Sequence, residues 1–94
     1  MADIQELLAE LRALPCTSPR TARELAATVG RARSAAGRWA DVLYDLRLWA
    51  AAYAGPRAAA ALEIAFRKAE ESFVELEIAH RDLARPAEDG TGRP

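Results

Sequence analysis

Two stretches of apolar residues with unbroken four-three spacing flank a single Gly55-Pro56 break. The first is Leu25, Val29, Ala32, Ala36, Trp39, Leu43, Leu46, Ala50 and Tyr53; the second is Ala59, Leu62, Phe66, Ala69, Phe73, Leu76, His80 and Leu83. In an α-helix this spacing aligns one seam along the long axis, so each stretch predicts a long helix with one continuous face to bury. Folding back at Gly55-Pro56 gives an antiparallel hairpin with a definite register. Tyr53 faces Ala59, Ala50 faces Leu62, Leu46 faces Phe66 and Leu43 faces Ala69; beyond them come Trp39 with Phe73, Ala36 with Leu76, Ala32 with His80 and Val29 with Leu83. Most layers oppose an alanine to a larger residue, which is how facing seams interdigitate without voids. In this register Trp39 and Phe73 are buried neighbours, while Gly30 and Gly37 share an outward heptad position.

The rest of the chain extends this to an all-α fold, a short N-terminal helix packed on a long antiparallel helical hairpin. Asp3 followed by Glu6 forms a capping-box pattern, and Ile4, Leu7, Leu8, Leu11 and Leu14 line one face of a first helix over about 3–14, ended by Pro15. Ser18-Pro19 supplies an N-cap and a first-turn proline for a second helix over about 19–54. Gly55 suits a left-handed C-terminus, and Pro56 opens a third helix over 56–85. Residues 1–85 then form one helical domain, and 86–94, without apolar periodicity, read as a disordered tail. With 23 alanines and six aromatic residues in 94, the core buries little area per side chain, so pairing with another copy is expected to supply further burial.

The net charge of -1 gives no overall attraction to nucleic acid or anionic lipid. Its distribution is uneven. Residues 15–40 carry Arg20, Arg23, Arg31, Arg33 and Arg38 against Glu24 alone, whereas residues 55–94 hold eight acidic and six basic side chains. The single Cys16 provides no disulfide framework and no cysteine-rich zinc site. The opening residues lack a basic, then apolar, leader pattern, and the longest uncharged run, Leu48–Pro56, is too short to span a bilayer. A cytoplasmic protein with no membrane association is expected. The twelve arginines against Lys68 alone, with abundant alanine, fit a bacterial genome of high GC content.

Residues 21–49 admit a second interpretation. Thr21 and Glu24 form a capping box, Ala26 is a small residue at a helix approach, Gly30 is placed as a turn glycine, and Val29 and Trp39 are placed as core. With Leu43-Tyr44-Asp45-Leu46-Arg47-Leu48-Trp49 as the end of a third helix, this stretch resembles the helix-turn-helix of bacterial winged-helix regulators, although no wing follows. The resemblance implies a DNA-binding transcriptional regulator in which Arg31, Arg33, Ser34 and Arg38 face the duplex. The two interpretations differ at residues 27–37, which are continuous helix in one and broken at Gly30 in the other.

Other candidate chemistry is sparse. Glu77 and His80 have the Glu-x-x-His spacing of di-iron bundles, but arginines rather than further carboxylates face them from the second helix. No phosphate loop or nucleophile motif occurs, so no enzyme activity, metal or cofactor is expected. Val42, Trp49, Ile64, Val74 and Ile78 lie off the hairpin seam, more than a short first helix can cover. They are the expected interaction surface of a protein-protein association module whose partner is a second copy or another helical protein.

Overall fold

In the computed structural model, which describes residues 4–85, three helices follow one another: α1 (Ile4–Arg12), α2 (Ala22–Tyr53) and α3 (Pro56–Leu83). No strand occurs among the described residues. Helices α2 and α3 form the antiparallel hairpin, and α1 packs on α2. The expected tail over 86–94 and the Asp3 cap lie outside the described residues.

Helix α2 starts three residues later than Ser18-Pro19 suggests, because the Thr21–Glu24 box is the stronger cap. The Glu24 amide donates to Thr21 Oγ1 at 3.0 Å, and Glu24 Oε1 accepts from the Arg20 amide at 2.7 Å. From there α2 runs unbroken through Gly30 and Gly37 to Tyr53. At its far end the Ala54 and Gly55 amides both donate to the Ala50 carbonyl. Gly55 has φ 115° and ψ 175°, an extended mirror-image conformation open only to glycine rather than the left-handed helical one, and Pro56 restarts the chain as the first residue of α3.

The hairpin forms and keeps Leu43 beside Ala69, as the layers predict, but its rings meet other residues of α2. Phe73 packs over Gly37, where an added Cβ would stand 3.2 Å from the ring, and the His80 imidazole lies over Gly30, 2.9 Å from the same point there. Phe66 meets Tyr44, ring centroids 5.4 Å apart. Each α3 ring thus sits two residues nearer the α2 N-terminus than the large-small layers place it. The glycines face inward, not outward, and Trp39 is 46% exposed rather than paired with Phe73. A glycine offers a hole with no Cβ, and two holes seven residues apart match two flat rings seven residues apart, letting the helix axes approach. Burying the Trp39 indole between the same helices would hold them apart. Ala40, Leu43 and Ala69 form the hairpin core, flanked by Leu46, Leu62, Ala65 and Phe66.

Helix α1 buries one side chain against α2. Leu7, 8% exposed, forms a second core with Ala35 and Val42. Leu7→Ala should release α1 from α2 at a cost of about 2 kcal/mol, at the low end for leucine truncation because the site is shallow. Hydrogen exchange would show residues 4–12 losing protection while α2 and α3 keep theirs.

Candidate interaction surface

Polar contacts fix which flank of α1 meets which flank of α2. The Ser34 hydroxyl donates to Glu10 Oε2 at 2.8 Å and Arg38 Nε donates to the same oxygen at 3.0 Å, while Arg38 also pairs with Glu6. Glu6 and Glu10 lie to one side of Leu7 on α1, and Ser34 and Arg38 lie to the matching side of Ala35 and Val42 on α2. The opposite flanks must therefore share the other side. On α1 that flank is Ile4, Leu8 and Leu11, spaced for one helical face and all exposed; on α2 it is the stripe containing Trp39 and Leu46. The open side thus carries much of the apolar periodicity assigned to the hairpin seam: Leu25, Trp39 and Tyr53 are exposed, Ala32, Ala36, Leu46 and Ala50 half-buried. Only Leu43 of the stripe is fully committed to the hairpin.

The Arg38 hydrogen bond, followed by that of Ser34, holds the Glu10 carboxyl below its ordinary value of 4.5. Such a depressed group stabilises the docked helix above its unfolded value and loses that contribution as the pH falls through the folded one. Acidification below about pH 4.5 should loosen α1, and Glu10→Gln should weaken docking at neutral pH and flatten the response. Equal acid sensitivity of α1 protection in the variant and the parent would assign the effect elsewhere. Glu63, lowered by Arg67 and then Arg47 against an opposing effect of burial, responds with the same sign but joins α2 to α3. Arg47 donates to Glu63 at 2.8 Å while its guanidinium lies 4.7 Å above the Tyr44 ring, closing the hairpin flank away from Trp39.

The residues expected to form one interaction surface do not come together. Val42 is 6% exposed beneath Leu7 and belongs to the core, a correction that follows from α1 docking directly over it. Trp49 is exposed two turns further along the same face of α2. Ile64, Val74 and Ile78 are exposed on the outer face of α3, opposite the rings that meet α2, with Arg67 and Glu71 among them. Sequence reasoning missed Ile4, Leu8, Leu11 and Trp39 as surface residues. The available signal was the match between two glycines and two rings at the same spacing.

Of the four residues implied by the regulator resemblance, Ser34 and Arg38 hold the α1 carboxylates, Arg31 is exposed and Arg33 half-exposed. The segment between Val29 and Trp39 is continuous helix, so Gly30 makes no turn. His80 faces Gly30, Glu77 pairs with Arg81 at 3.9 Å, and no cluster of three His, Cys, Asp or Glu side chains that could hold a metal ion occurs among the described residues. Among the described residues no helix is long and apolar enough to cross a membrane. No family model, curated protein or solved structure matches the chain.

Proposed function

We propose that this chain is a cytoplasmic helical association module without catalytic activity, binding another protein through the open side of α1 and α2. The observation that carries this reading is the exposure of Ile4, Leu8, Leu11 and Trp39 on one side of the molecule. Scattered apolar residues are ordinary on a surface, but a row drawn from two packed helices is a docking face. The flank that holds the Arg38 pairs faces away from it, so a partner can cover the apolar row without stripping those charges of water. DNA binding through Arg31, Arg33, Ser34 and Arg38 is the alternative. It has less support, because two of those four side chains are already engaged by Glu10 and the helix carrying them does not turn at Gly30.

Photo-crosslinking in intact cells separates the readings. A photoreactive residue replacing Trp39 should give a discrete protein product that the same residue replacing Glu71 does not. No discrete product at position 39, together with salt-sensitive DNA binding lost on replacing Arg31, Arg33 and Arg38 by alanine, would favour the regulator.

A further inference from the structure

We propose that the partner on this face is a second copy of the chain, packed antiparallel about a two-fold axis that passes beside Leu8 of α1 and the Gly37-Arg38 step of α2. The inference rests on the association reading and specifies the partner. Gly37 and Arg38 are the middle of α2, so the axis aligns the two α2 helices over their full length, about 48 Å. In that register Ala36 meets the partner's Trp39, Leu25 meets the partner's Ala50, and Val29 meets the partner's Leu46, while Leu43 stays within its own hairpin core. Two-fold symmetry repeats each pair. Every alanine opposes a larger side chain, so the open stripe of α2 is size-complementary to itself.

Helix α1 supplies an independent check. Leu7 clusters with Ala35 and Val42, and Glu10 bonds Ser34 and Arg38, so the middle of α1 lies level with the middle of α2. The same axis therefore passes beside Leu8, setting it close to the partner's Leu8 and bringing Ile4 within one residue of the partner's Leu11. Two helices of unrelated sequence share one centre of symmetry, a coincidence that a dissimilar partner would not require. A face about 48 Å long and roughly two helices wide at its centre covers on the order of 800 Å² per copy, the area of a standard stable interface. The pairs of Arg38 with Glu6 and Glu10, and of Arg47 with Glu63, lie on the opposite flank and stay solvated in such a dimer.

Sedimentation equilibrium of the full chain at micromolar concentration should give twice the chain mass. Leu8→Arg places two like charges at the axis and should raise the dissociation constant by about a hundredfold, with helical content unchanged. In a Cys16→Ser background, Leu8→Cys should form an interchain disulfide on mild oxidation, while Val74→Cys on the outer face of α3 should not. A strict monomer overturns the proposal, as does a dimer that cross-links through Val74→Cys and not through Leu8→Cys. In either case the association reading is judged separately: a different protein cross-linked at position 39 in cells keeps it standing, and no product there removes it.

Discussion

Replacing Gly37 with leucine is expected to destabilise the hairpin by about 3 kcal/mol, the upper end for overpacking a close helix contact. The Phe73 ring already stands 3.2 Å from where a Cβ would be, so an isobutyl group has no space unless the helices separate along the Ala40–Ala69 core. Gly37→Ala should be close to neutral, because the gain of about 1 kcal/mol in helix propensity offsets the small displacement of the ring. A glycine facing solvent behaves oppositely, with both replacements stabilising by about 1 kcal/mol. Chemical denaturation of the parent and the two variants distinguishes the cases by the sign of the leucine effect alone.

Truncation of the two aromatics that sequence periodicity pairs should give unequal results. Phe73→Ala removes the ring that fills the Gly37 hole and is expected to cost about 3 kcal/mol. Trp39→Ala should cost the isolated chain under about 1 kcal/mol, since nearly half of its surface is in solvent. If the face docks a second copy as proposed, the substitution should instead abolish the concentration dependence of the unfolding transition. Equal, large losses at both positions in dilute protein would restore the register in which the two side chains face each other.

Helix count, antiparallel connection and the turn at Gly55-Pro56 were all legible in the sequence, because apolar period and glycine-proline punctuation act locally. The partners of the rings were not, although Leu43 and Ala69 do meet as layered. Periodicity marks which side of α2 is apolar without saying which of two neighbours covers it, and large-small matching gave a consistent answer that two glycines override. A glycine outside the apolar stripe carries no hydrophobic signal, yet the missing Cβ draws a ring to it and turns α2 by about one residue. That rotation hides Val42 under Leu7 and leaves Trp39 exposed. Start signals showed a similar competition: Ser18-Pro19 and Thr21–Glu24 both satisfy capping rules, and Thr21 prevails, its hydroxyl accepting the Glu24 amide while the Glu24 carboxylate accepts the Arg20 amide just before it.

Quenching of Trp39 fluorescence by a neutral, water-borne quencher, followed over a dilution series in a Trp49→Phe background, tests most directly whether the α1–α2 side is a docking face. The account predicts an indole open to quencher in dilute protein and shielded as concentration rises, with Leu8→Arg keeping it open throughout. An indole shielded equally at every concentration, and in Leu8→Arg as well, would place Trp39 inside the hairpin and contradict the account.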